Sequence, residues 1–167
     1  GEIASDMAVD TIYAHMTNQW GNDQEVTEQR FAYRLKEAVE VANQQIHQYA
    51  RDHGEHRGMG TTTTACGVFG DALYLTQIGD SRGYRLRGGR LAQITHDHSL
   101  LQEQIDSGLI TAEQAAFSSN KNLVTRAVGV EDTVLLETHL HDVLPGDMYL
   151  LCSDGLSDML DDESISQ

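Results

Sequence analysis

The most constraining feature of the sequence is a set of very short turns between strand-like segments in its middle. Thr61–Phe69 is rich in β-branched residues, and Gly70-Asp71 separates it from the apolar segment Ala72–Ile78. A second dipeptide, Gly88-Gly89, divides another strand-like segment over residues 83–95. Such turns join antiparallel strands, because parallel neighbours need a crossover of roughly a dozen or more residues. The sequence therefore predicts an antiparallel meander and disfavours a parallel α/β sheet.

Two helices are predicted before these strands. The first covers residues 1–17, and the second runs from Glu28 to Arg51 after Thr27 as its N-cap. In both, apolar residues recur at three- and four-residue steps, so each helix looks apolar on one face, as helices that cover a sheet do. The stripe of the first helix is marked by Ile3, Met7, Ile12 and Met16, thickened by Ala4, Ala8 and Val9.

The other predicted elements follow the same local signals of capping, turns and apolar runs. They are loops over 18–27 and 118–122, two short helices over 100–117 capped by Ser99 and Thr111, strands over 134–143 and Met148–Cys152, and a helix starting at about Asp161.

Composition excludes several classes of function. A chain of 167 residues, 40% hydrophobic, is enough for one domain with a real core. Its formal net charge of −15 opposes binding to nucleic acid. No apolar run approaches the roughly 18–20 residues of a membrane span, and no signal-peptide pattern is present, so we expect a cytoplasmic domain without a membrane partner.

Cys66 and Cys152 lie in apolar strand-like runs, which predicts buried free thiols.

Two aspartates at the exits of apolar strands are the candidate metal ligands. Asp80 follows Leu73–Ile78, and Asp154 follows Met148–Cys152. A carboxylate in such a turn has its backbone held by the sheet while its oxygens face the loop side. Mg²⁺ and Mn²⁺ take oxygen ligands, often from only one or two carboxylates. Asp-Ser and Asp-Gly are also ordinary turn formers, so either turn taken alone leaves both interpretations open.

The histidine clusters are weaker candidates. His53 and His56 lie in a glycine-bearing loop without a cysteine partner, so we expect solvated side chains rather than a zinc site. In the extended segment His96-Asp97-His98, three adjacent side chains cannot all face one ion. Ser99 as a helix cap explains part of that segment more simply.

Six short motifs extend over most of the chain. They are Gly60–Ala65, Ile78–Tyr84, Ile94–Leu100, Leu123–Gly129, Leu144–Asp147 and Leu151–Leu156. Their order and spacing resemble those of the metal-dependent serine/threonine protein phosphatases of the type 2C, or PPM, family, and in particular those of its bacterial members. Six motifs in order are far more specific than any one of them.

The resemblance implies an α+β fold, an αββα sandwich of two antiparallel β-sheets flanked by helices. It also implies a hydrolase with a binuclear Mn²⁺ or Mg²⁺ centre, in which a metal-bound hydroxide attacks phosphoserine or phosphothreonine. By position, Asp154 matches a ligand of the binuclear centre, and Asp80 matches a residue that holds an additional ion together with Asp154. Residues 100–122 match a variable flap beside the site. The implied partners are phosphorylated proteins and a cognate serine/threonine kinase, in signal transduction.

Departures from the family pattern occur at both ends. The family's N-terminal arginine, acidic pair and Asp-Gly-Met-Gly-Gly turn, and its Asp-Asn motif in the last strand, have no match here. We therefore expect residues 1–167 to form a single PPM-type domain that lacks terminal strands and is incomplete at its N- and C-termini. We expect this chain alone to be inactive or weakly active. The alternative is a non-catalytic, phosphatase-like binding or regulatory module.

Overall fold

The structure is a computed structural model that describes residues 2–20, 27–118 and 123–167, without the side chains of residues 19 and 20. Most of the residues in the loops predicted over 18–27 and 118–122 lie outside the described residues, but residues 18–20 were wrongly predicted as loop and continue the first helix. The helices are α1 (Glu2–Trp20), α2 (Glu28–Asp52), α3 (Leu100–Asp106), α4 (Ala112–Ala115), α5 (Asp154–Ser157) and α6 (Asp162–Ser166). The strands are β1 (Thr63–Phe69), β2 (Ala72–Ile78), β3 (Arg82–Arg87), β4 (Arg90–Gln93), β5 (Thr138–Asp142) and β6 (Met148–Cys152).

The chain divides into two compact units. The first unit contains the residues up to Gln77 together with Ala127–Leu144, and the second contains Ile78–Arg126 and Pro145–Gln167. Within the described ranges, no helix combines the length and the apolar character needed to cross a bilayer.

Within the described part of the chain, the strands form two sheets of three strands each. The first has the order β1-β2-β5 and the second the order β4-β3-β6. The pairings of β2 with β5, and of β3 with β4 and β6, are antiparallel. Helices with two antiparallel sheets confirm the predicted fold class, and the hairpins at Gly70-Asp71 and Gly88-Gly89 are present as expected.

The continuous meander is wrong, because β2 and β3 belong to different sheets. The chain leaves β2 at Gly79, whose φ of 102° lies in the left-handed region open to glycine. This turn takes the backbone out of the β2 ladder before β3 begins at Arg82. A periodicity of two shows that a segment is a strand but not which sheet it joins.

Helix α2 supplies much of the apolar core of the first unit. Thr27 caps it by accepting a hydrogen bond from the Arg30 amide at 3.1 Å, as predicted. Phe31 contacts the rings of Phe69 and Tyr74, with centroid distances of 5.6 and 5.3 Å. The buried face of α2 consists of Phe31, Leu35, Ala38, Val39, Ala42, Asn43, Ile46 and Ala50.

Helix α1 buries most of the predicted apolar stripe, with Met7, Ile12 and Met16 half-buried. Ala4 and Ala8 are buried, whereas Ile3 and Val9 are 40% and 66% exposed. Helix α1 packs against α2, whose own buried face carries alanines at 38 and 42. Small side chains on both helices permit close approach of the backbones, so the alanines form the most deeply buried part of the stripe.

A polar side chain on α2 fixes the segment that returns to the first unit. Asn43 is 1% exposed, and its Nδ2 donates to the carbonyl oxygens of Glu131 at 3.0 Å and Asp132 at 3.3 Å. Its Oδ1 accepts from the Gly129 amide. Gly129 has a φ of 96°, and a Cβ there would lie 2.1 Å from Cγ2 of Ile46. We call these hydrogen bonds the Asn43 clamp.

Both cysteines are free, as predicted, but they are half-buried rather than buried. Burial raises the pKa of the Cys66 thiol. Burial also raises the pKa of Cys152, and the nearby charge of Arg82 partly offsets that effect.

Candidate metal centre

Strand pairing in the second unit explains why Asp80 and Asp154 meet. In the antiparallel pair of β3 and β6, Arg82 lies opposite Cys152. Asp80 precedes Arg82 by two residues, and Asp154 follows Cys152 by two. Antiparallel register therefore brings the turn before β3 and the turn after β6 to the same end of the sheet.

Asp80 carries a deeply buried carboxyl group, with only 8% of the residue exposed. Its pKa is raised, first by burial, then by the negative charges of Asp154, Asp97 and Asp158. A hydrogen bond from its own backbone amide acts in the opposite direction. A carboxyl group surrounded by other carboxylates gains most from a nearby cation.

Asp154 is the first residue of α5 and is half-buried. This helix was not predicted, because a single turn of four residues is too short to show a periodicity. Asp158 caps the end of α5, four residues after Asp154. Sequence reasoning missed Asp158, although a second aspartate one helical turn after the first was a usable signal.

These aspartates line one cavity of about 580 Å³ in the second unit. Its acidic lining residues are Asp80, Asp97, Asp154, Asp158, Asp161 and Asp162. Leu101, Gln102 and Ile105 of α3 also line it, together with Ala112 and Ala115 of α4. The region predicted as a flap, as far as it is described, thus borders the acidic cavity.

Arg82 is the one cationic side chain among the described residues that line this cavity, and it is paired with Asp97. Its Nη2 lies 2.8 Å from Oδ2 of Asp97, and its Nε lies 3.1 and 3.2 Å from the two carboxylate oxygens. Arg82 Nη1 donates to the Tyr84 hydroxyl at 3.0 Å, and Gln93 Nε2 donates to Asp97 Oδ1 at 3.1 Å. The forked geometry fixes the guanidinium in one place.

The segment His96–Ser99 has a structural role, as expected. His98 Nδ1 accepts from the Gly79 amide at 3.0 Å, and burial lowers the pKa of His98. His96 Nε2 contacts Asp106 at 2.7 Å. Ser99 caps α3 by accepting from the Gln102 amide. The neighbouring side chains therefore point to different partners and do not converge on one ion.

The described residues contain no group of three His, Cys, Asp or Glu side chains arranged to hold a metal ion by itself. His53 and His56 in the loop after α2 are therefore not part of such a group, and His53 stacks on Tyr49 with a centroid distance of 4.0 Å. Within the same ranges, no Arg, Lys or His forms an ion pair with Asp80, Asp154 or Asp158. The cavity thus offers carboxylates with uncompensated charge, but not a complete ligand set.

Comparisons with known proteins place this arrangement in a family. The family model described as protein phosphatase 2C matches residues 1–167. The serine/threonine protein phosphatase PstP of Mycobacterium tuberculosis is 40% identical over 169 residues, covering 99% of this chain. The protein phosphatase PhpP of Streptococcus pneumoniae is 38% identical over 173 residues, also covering 99%.

A solved structure of the catalytic domain of PstP in complex with two manganese ions superposes with a TM-score of 0.83 at 38% identity. The match covers 99% of this chain and 66% of that one. The chain spans 30% of the length of PstP and 65% of the length of PhpP. The predicted resemblance is thus confirmed, and the chain belongs to the protein phosphatase 2C family.

Proposed function

We propose that the protein is a metal-dependent protein serine/threonine phosphatase, a hydrolase, to which this chain contributes Asp80 and Asp154 as metal ligands. One observation carries the proposal. The carboxyl group of Asp80 is 8% exposed and has no cationic partner among the described residues, and it lies in a cavity that it shares with Asp154 and Asp158. A buried charge of this kind is costly unless it is paired or coordinates a metal.

The donor set fits a hard divalent cation. All three side chains offer oxygen, which Mg²⁺ and Mn²⁺ prefer, and these ions often keep several waters beside one or two carboxylates. Asp154 would hold an ion of the main centre and, with Asp80, an additional one. When bound, such ions neutralise negative charge on the phosphoryl group and activate the attacking water. The two manganese ions of the PstP structure support this choice of metal.

The protein residues around the cavity suit a phosphorylated protein as substrate. Gln102, Leu101 and Ile105 of α3 also line the cavity. Unlike the aspartates, these three side chains are uncharged. They offer contacts to residues that flank a phosphoserine or phosphothreonine. A signalling role with a cognate serine/threonine kinase, and a cytoplasmic location, belong to the same proposal.

Mn²⁺-dependent hydrolysis of a phosphothreonine peptide tests the proposal on the protein as its gene encodes it. We expect activity that a chelator abolishes. Asp154→Asn should lower kcat by about 100-fold or more, because it removes a ligand of the main centre, and Asp80→Asn should lower it by about tenfold. Asp71→Asn, the same chemical change in the exposed turn between β1 and β2, serves as the matched control.

Equal turnover by Asp154→Asn and the parent protein would contradict the assignment of this residue. A folded parent protein that binds phosphopeptide without hydrolysing it would favour the alternative, a non-catalytic binding module.

A further inference from the structure

Among the described residues that line the cavity, one is cationic, and it does not pair with the proposed metal ligands. Arg82 lines the same cavity as Asp80 and follows it by only two residues. A guanidinium that moved onto the Asp80 carboxylate would satisfy its charge and compete with a metal ion. In the structure, three hydrogen bonds hold Arg82 on Asp97 instead.

The environment of Asp97 stabilises its ion pair with Arg82. Its carboxylate accepts a fork from Nε and Nη2 of Arg82, and its side chain is 9% exposed, so little water competes for it. Gln93 donates to the same carboxylate at 3.1 Å, and Nη1 of Arg82 donates to the Tyr84 hydroxyl at 3.0 Å. Tyr84 in turn donates to Asp162 at 3.2 Å. Both partners of the pair are thus oriented by further hydrogen bonds.

We propose that Asp97 is a positioning residue for the metal centre: it sequesters the guanidinium of Arg82 and so leaves the Asp80 carboxylate free to bind a divalent cation. This inference rests on the proposed function. Asp97 itself needs no contact with the metal, because its charge is already matched by Arg82.

The proposal predicts opposite effects from the two halves of the pair. Asp97→Asn releases Arg82 beside Asp80, so Mn²⁺ affinity should fall by about tenfold. Arg82→Gln removes the competing cation, so Mn²⁺ affinity should stay equal or rise. In the double variant the competitor is absent, and affinity should return to within about twofold of the parent protein. A purely structural role would instead make both single changes weaken Mn²⁺ binding.

Mn²⁺ binding is measured directly, by the electron paramagnetic resonance signal of free Mn²⁺ during titration of the protein as encoded. Circular dichroism confirms that each variant is folded. If Asp97→Asn does not fold, Arg82→Lys replaces it: the ammonium keeps the charge but loses the fork, so affinity should fall in the same direction by a smaller factor. In an Asp80→Asn background, Asp97→Asn should have no further effect on Mn²⁺ affinity.

The outcomes separate the two proposals. Parent protein that binds no Mn²⁺ would contradict the metal centre and this inference together. Parent protein that binds Mn²⁺, with an unchanged affinity in Asp97→Asn or with no recovery in the double variant, would contradict the role of Asp97 alone.

Discussion

The first unit buries mainly apolar side chains, whereas in the second unit the buried polar residues are as prominent as the apolar ones. Around α2 the core is made of residues such as Leu35, Val39 and Ile46. In the second unit, Ile78, Tyr84 and Ala115 are buried together with Asp80, Thr95, Asp97 and Ser99. The difference indicates that the first unit is organised for stability and the second for a charged site, with hydrogen bonds replacing part of the apolar packing.

The largest effect is expected in the core of the first unit. Ile46 is fully buried on α2, so Ile46→Ala should lower the free energy of unfolding by about 3–4 kcal/mol through lost burial and the cavity left behind. Urea unfolding followed by circular dichroism measures it. Tyr33→Ala on the exposed face of the same helix is the control. A loss below about 1 kcal/mol for Ile46→Ala would mean that the core is loosely packed.

A slightly smaller effect is expected from an ion pair in the second unit. Arg87 lies 2.7 and 2.8 Å from the carboxylate of Asp147, whose side chain is 1% exposed. Arg87→Met removes the bidentate cationic partner of that buried charge, so the free energy of unfolding should fall by about 3 kcal/mol. Arg90→Met, at the exposed position opposite Arg87 in β4, should change it by less than about 0.5 kcal/mol. Equal losses of stability in the two variants would mean that the buried ion pair contributes no more than an exposed charge. That result would contradict the role given to buried charges in the second unit.

Removal of the Asp80 charge should stabilise the metal-free protein. The pKa of Asp80 is raised in the folded state, so its ionisation opposes folding. The penalty is absent below the ordinary pKa near 3.8 and fully present above the raised pKa. Asp80→Asn should therefore raise the free energy of unfolding at pH 7 by on the order of 1 kcal/mol, and leave it unchanged at pH 3. A loss of stability at pH 7 would contradict this reading of Asp80.

The smallest effect concerns the two thiols, one in each unit. Half-burial and a raised pKa both slow the reaction of a thiol, so a thiol reagent at pH 7 should label the native protein several-fold more slowly than the unfolded protein. Labelling of Cys66 and Cys152 across a urea series, resolved by mass spectrometry, shows whether the units open together. Rapid labelling of either native thiol would contradict its protection.

Local signals predicted most elements but not their partners. Helix α2 was expected over Glu28–Arg51 and ends one residue later, because its cap and its apolar spacing agree. The strand expected over 134–143 is confined to Thr138–Asp142, where β2 provides hydrogen bonds. The face of α1 was predicted correctly at its centre, but its width was not, because periodicity does not show that Ile3 and Val9 at the edges of the stripe are exposed.

The candidate site shows the same limit. Asp80 and Asp154 were found because each follows an apolar strand, and their metal role remains a prediction. The pairing of Arg82 with Asp97 joins residues 15 positions apart, which the β3–β4 hairpin brings together. No local pattern marks such a pair, and the cap at Ser99 explained only part of the segment that contains Asp97.

The Asn43 clamp has a consequence for hydrogen exchange. The amide of Gly129 is held by a side chain of α2 rather than by a neighbouring strand. Its deuterium uptake should therefore follow the opening of that helix, although 86 residues separate it from Asn43. In Asn43→Ala, uptake at Gly129 should become fast while the amides in the middle of α2 remain protected. Unchanged slow uptake would mean that another contact closes this segment.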